Sequence, residues 1–188
     1  MPSREDAWET VAEWVVSPSL RKHMLCVESA MREYAKKYGE DEELWGITGL
    51  LHDFDYERYP EPNASAKTGH PFEGVKILRE KGYPEEALEA VLGHATYSGV
   101  PRETRMAKCL FAVDELCGFV VAVAYMRPDK LAGITPEVVR KYLAKKKFAE
   151  RVNRAEIAQG ILELGVSEEE HFQTVISALQ KISDKIGF

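Results

Sequence analysis

Cysteine is scarce: Cys26, Cys109 and Cys117 are the only three in 188 residues, and no CxxC spacing occurs. An odd, scattered set inside apolar segments excludes a disulfide framework and a thiolate zinc site, and fits reduced thiols in a cytoplasmic protein. A clean apolar run is also missing. The most apolar stretch, Cys109–Met126, contains Asp114 and Glu115, and ionised groups at that depth argue against a membrane span. The first residues carry Glu5, Asp6, Glu9 and Glu13 and lack an apolar core, so no secretory signal is expected. Positive charge is not in excess either: 25 basic against 31 acidic residues give a net charge of -6. That balance excludes a protein held to polyanions by bulk charge, and no stable nucleic-acid partner is expected. Internal repeats, low-complexity segments and period-two alternation are absent too.

What is present is helical patterning, with 45% apolar residues to bury in one domain spanning 1–188. Ser17-Pro18 reads as an N-cap and first helical residue. Leu20, His23, Val27, Ala30 and Tyr34 then recur at three and four residues, towards a stop near Gly39. A second helix carries Trp45 and reaches His52. Residues 55–70 concentrate Pro, Asn, Ser and Gly and read as a long loop, a length that within a compact domain usually serves a site. Pro71 and Pro84 open two further helices, the first ending at Gly82. A long buried helix is expected from about 102 to 126, then helices over 136–150, 153–164 and 167–186. The expected fold is all-α.

There are five histidines, and four of them (His23, His52, His70, His94) fall in the first half of the chain beside core-like segments. His23 and His94 sit on apolar stripes, and Asp114 lies in the most apolar helix. A carboxylate on such a face costs several kcal/mol unless it is paired or binds a cation. Each residue alone is explained by a buried ion pair or a cap. Together with His52-Asp53 they form the imidazole and carboxylate mixture that transition-metal sites use.

The order His23, His52-Asp53, Asp114 on helices resembles the HD superfamily of metal-dependent phosphohydrolases, and the added His70 and His94 resemble its two-metal subset. The resemblance covers residues 18 to about 130, leaving 131–188 as a C-terminal helical extension of the bundle. It implies that His23, His52, Asp53 and Asp114 hold one metal, and that His70 and His94 hold a second with Asp53 bridging. The ions implied are divalent Fe, Mn, Zn, Co or Ni, with Mg admissible. The stretch GHPFEGVKILREKGYPEEALEAVLGHATYSG is similar to the symmetrically cleaving diadenosine tetraphosphate hydrolases. Phe54-Asp55-Tyr56-Glu57, however, stands where those commonly place a Lys. Over its full length the chain resembles HD hydrolases of unassigned substrate.

The resemblance implies a phosphohydrolase acting on a small phosphorylated metabolite, nucleotides foremost, with His52 and Asp53 at the catalytic centre; Asp55, two residues on, is a further catalytic candidate. The alternatives are a mixed-valence di-iron oxygenase on the same ligands and a metal-stabilised module without turnover; a homo-oligomer is compatible with each. Asp55 and Glu57 read either as groups that orient water, protonate the leaving group or touch a metal, or as solvated acids opening the loop. Seven basic residues lie between Arg140 and Arg154 against one acid, Glu150. Lys146, Lys147 and Arg154, with Arg127 and Lys130, are the candidate phosphate contacts. Tyr56, Tyr59 and Tyr97 either stack on a base or cover core edges, and His171 is expected at the surface.

Overall fold

Local capping chemistry sets most helix boundaries. In the computed structural model, which describes all 188 residues, Ser3 and Asp6 form a capping box at the start of α1 (Arg4–Trp14). Ser17 caps and Pro18 opens α2 (Pro18–Tyr38), which ends on Gly39 in the left-handed conformation at φ +69°. Asp41 caps α3 (Glu42–Leu51). After the loop come α4 (Phe72–Glu80) and α5 (Glu85–His94), followed by a 3-10 turn at Thr96–Ser98. Thr104, Thr135, Asn153 and Ser167 cap α6 (Arg105–Tyr125), α7 (Pro136–Leu143), α8 (Arg154–Leu164) and α9 (Glu168–Lys181), and a 3-10 turn at Ser183–Ile186 closes the chain. The all-α expectation holds: beyond helices there is one isolated bridge, Asn63 with Thr68. No helix is long and apolar enough to cross a membrane.

Two expected helices are shorter than the periodicity suggests. The segment 136–150 is helical only to Leu143, because Arg154 turns back on the carbonyls of Leu143, Lys145, Phe148, Ala149 and Val152. Those oxygens hold the chain in turns, with Ala149 at φ +45°. The last helix breaks at Lys181 before its final turn.

The two longest helices, α2 and α6, run through the centre. A core of 30 residues joins their inner faces to α7, α8 and α9, with Tyr34, Phe119 and Phe172 its largest fully buried members. A second core of 13 residues, including Phe54, packs α1, α3, α4 and α5 on the other side. Where the two cores meet, polar side chains converge from α2, α3, α5 and α6.

Candidate metal centre

Each converging residue is delivered by a rigid element. His23 lies early on α2, His52 is the C-cap of α3, His94 is the last residue of α5 and Asp114 sits at the middle of α6. Asp53 follows His52 directly, and His70 returns after the loop. His52 and His94 use one device: the Nδ1–H of each donates to the carbonyl three residues back in its own helix, Gly49 and Val91 respectively. A carbonyl only accepts, so the proton sits on Nδ1 and Nε2 is free to face inward. His70 does the same with a carboxylate, its Nδ1 lying 2.7 Å from Asp55 Oδ1.

Four Nε2 atoms thereby meet two carboxylates. His23 and His52 are 3.2 Å apart through Nε2, and His70 and His94 are 3.3 Å apart. Asp53 lies between the pairs. Its Oδ1 is 3.2 Å from His70 and 3.4 Å from His94, while its Oδ2 is 3.4 Å from His52 and 3.9 Å from His23. Asp114 Oδ1 closes the first pair at 2.9 Å from His23 and 3.5 Å from His52. His52 is fully buried, and burial alone would favour its neutral ring. The charges of Asp53 and Asp114 outweigh burial and raise it well above the usual imidazole range. His70 is raised to about 9 in the same way, against burial, by Asp53 and Asp55. Burial works against ionised Asp53 and Asp114 as well, yet the histidines hold both well below the ordinary carboxylate range. Ionised carboxylates among inward-facing imidazoles are a donor set that fits divalent transition ions, which compete for the lone pairs those protons occupy. Two groups, His23/His52/Asp114 and His52/Asp53/His94, each have ligand atoms within 4.8 Å of one another.

A family model described as HD domain matches residues 20–118, or 99 of 188 residues. The chain belongs to the HD domain family. Membership brings the metal-dependent hydrolase superfamily and agrees with the all-α fold and the clustered His and Asp side chains. No curated protein and no solved structure matches the chain significantly.

Within this HD domain Asp55 is not the solvated acid of a loop. It is fully buried, and its other oxygen, Oδ2, accepts from the Gly74 N–H at 2.7 Å. The backbone repeats the connection: the Asp55 carbonyl accepts from Tyr59 N–H and the Tyr59 carbonyl from His70 N–H. Residues 60–69 are therefore an excursion pinned at its base. Glu57, the other acid there, accepts from the Val16 and Ser17 amides and ties the turn to the α1–α2 junction.

The mouth of the site draws on two tyrosines that the sequence offered, Tyr56 and Tyr97, and on Glu115, Asn153, Thr96 and Glu156, which it did not. Tyr97 donates its hydroxyl to the His70 carbonyl at 3.1 Å, and the Tyr56 ring stands edge-on to the His70 ring. Tyr59 packs instead towards Trp14. Glu115 accepts from the Asn153 N–H at 3.2 Å, and Thr96 donates to Glu156. The first turn of α8 thus lies across the mouth, a long-range contact with no local sequence signal. Burial, with Asp114 next to it, pushes the Glu115 carboxyl up to about 7.

The basic candidates divide. Arg154 is committed to five backbone carbonyls, so it is a turn clamp rather than a free phosphate ligand. Arg127 is held bidentately by Asp129, and lies thirteen residues beyond Asp114, roughly 20 Å along the α6 direction. Lys130 follows it, exposed and at φ +50°. Arg140 pairs with Glu168 and Glu169. Lys146 and Lys147 are exposed and unpaired on a turn whose Phe148 packs against Phe119, one turn of α6 past Glu115. His171 is a correction: it is fully buried, with Tyr34 Oη 2.6 Å from Nδ1 and the Ala112 carbonyl 3.0 Å from Nε2.

Proposed function

We propose that this HD domain is a phosphohydrolase that cleaves a phosphate ester or anhydride of a small metabolite, with nucleotides the first class to test. The observation that carries the reading is the position of Asp53. Its two oxygens face different histidine pairs, an arrangement suited to two ions sharing one carboxylate. His23, His52 and Asp114 would complete one ion's protein ligands, and His70 and His94 the other's. Divalent ions held this way supply a water acidic enough to attack near neutral pH, and they offset charge on the phosphoryl oxygens.

The chain's own contribution is rigidity and shielding. Nδ1 donation by His52, His70 and His94 fixes ring orientation before any ligand arrives. Tyr97 and Tyr56 flank the His70 side of the mouth, and Tyr97, whose hydroxyl is raised by burial and by the nearby aspartates, stays a hydrogen-bond donor at any working pH. Lys146 and Lys147 are exposed and without an ion-pair partner on the turn whose Phe148 packs against α6, and we assign them to substrate phosphate. Arg154 would act only by holding their turn.

Metal analysis of purified protein reconstituted with Mn, Fe, Zn, Co or Ni is expected to give two ions per chain. Asp53→Ala should lose both ions and at least 100-fold in turnover. Phosphate release is then assayed over nucleotides and dinucleoside polyphosphates, in air and without oxygen. Absence of stoichiometric metal sinks the reading, and an activity that requires oxygen with tightly held iron transfers it to an oxygenase. Lys146→Ala/Lys147→Ala is expected to raise KM with kcat little changed; identical kinetics would remove the lysines from the substrate site.

A further inference from the structure

We propose that Asp55 is a positioning residue for the centre, which fixes His70 with Nε2 towards Asp53 and couples that ring to the start of α4. The inference rests on the metal reading above and deepens it. Direct roles are closed to Asp55: it has no solvent-exposed surface, and both its oxygens are engaged, Oδ1 with His70 Nδ1 and Oδ2 with the Gly74 amide, each at 2.7 Å. It can neither orient a water in the mouth nor hand a proton to a leaving group. Its effect on chemistry must pass through the imidazole it holds.

His70 needs such a partner more than the other histidines do. His52 and His94 are fixed by carbonyls of their own helices, so their orientation comes with the helix. His70 precedes α4 and has no i−3 helical carbonyl to use. Its orientation depends on an acceptor from elsewhere in the chain, and Asp55 reaches it across fifteen positions. A carboxylate behind a ligating imidazole fixes which nitrogen carries the proton and makes the other more basic.

Gly74 supplies an independent observation. A Cβ there would lie 2.6 Å from Asp55 Cγ and under 3 Å from both its oxygens. Only glycine lets the α4 backbone approach closely enough for its amide to bond Oδ2. The carboxylate is thus wedged between a ring it orients and a helix that cannot move closer, and His70 cannot rotate without breaking one of the two bonds.

The test is calorimetric titration of Mn or Zn into metal-free wild type, Asp55→Asn and Gly74→Ala. Asn keeps the shape but offers one acceptor where two are needed; Gly74→Ala keeps the charge and displaces it. Both variants are expected to retain the first ion's affinity within about twofold, and to weaken the second's by about 10–100-fold. The thermal midpoint of each metal-free variant is measured alongside. In the zinc-loaded wild type the His70 Nδ1 proton should be visible and slow to exchange, and in Asp55→Asn it should exchange rapidly. Uptake identical to wild type in both variants overturns the assignment, as does a loss that falls equally on both ions, or a lower midpoint with unchanged affinity. A wild type that takes up no ion sinks the metal reading itself and this role with it.

Discussion

His171 is buried among apolar side chains yet satisfied at both ring nitrogens. The Ala112 carbonyl only accepts, so Nε2 carries the proton, and Nδ1 accepts from the Tyr34 hydroxyl. Burial drives its pKa down to about 4. A neutral ring that the unfolded chain would protonate near 6.5 contributes stability that is full above pH 6.5 and lost as pH falls towards 4, about 3 kcal/mol in total. His171→Phe should cost on the order of 1–3 kcal/mol at pH 7, because it leaves the buried Tyr34 hydroxyl unpaired and takes from the Ala112 carbonyl the donor it has beside its helical bond. It should also flatten the fall in thermal midpoint between pH 6.5 and 4. Parallel melting curves for the two proteins across that range would contradict the assignment. The sequence could not reveal this residue: Glu168-Glu169-Glu170 before it suggested a surface, but α9 turns that acidic turn outward and His171 inward. Five of the six inward-facing ligand candidates were legible for the opposite reason, since each interrupts an apolar stripe or follows one; His70 ends a polar loop, and only the resemblance marked it.

At the level of elements, α6 is approached more closely than side-chain packing allows. A Cβ on Gly160 of α8 would lie 2.6 Å from Ala112 Cα, so the two backbones are nearly in contact. Gly160→Ala is expected to cost roughly 1–3 kcal/mol by overpacking, seen as a lower thermal midpoint. It should also raise KM, since the first turn of α8 carries the Asn153 amide and Glu156 at the mouth. An unaltered midpoint would mean that α8 shifts freely. Helix starts at Ser17-Pro18 and Asn153, and the stop at Gly39, were readable because caps are local chemistry. The early end of α7 was not, because the segment after it is rich in Lys and Ala, good helix formers, and is unwound only by Arg154 eleven residues beyond Leu143.

Across the whole molecule, the family match stops at Gly118, yet the larger core runs on through Phe119, Val139, Phe172 and Leu179 to Ile186. The segment 131–188, which read as an extension, covers the faces of α2 and α6 that the matched region leaves apolar. A chain cut after residue 130 is therefore expected to lack a cooperative thermal transition and to bind a hydrophobic dye; a well-dispersed amide spectrum from it would show an independent metal-binding unit. The net charge of -6 is also a whole-molecule average, and the basic turn at 145–147 beside an acidic mouth is where it misleads most.

The pinned base of the excursion at 60–69 has a mechanical consequence. Tyr59 and His70 are joined through their backbones and Asp55 secures the ring, so the ligand is set at the base of the loop rather than at its tip. The tip of the excursion is thereby mechanically separated from the centre, so that its movement need not reach His70, while Gly69, where a Cβ would run into the Glu61 backbone, fixes the loop's own return path.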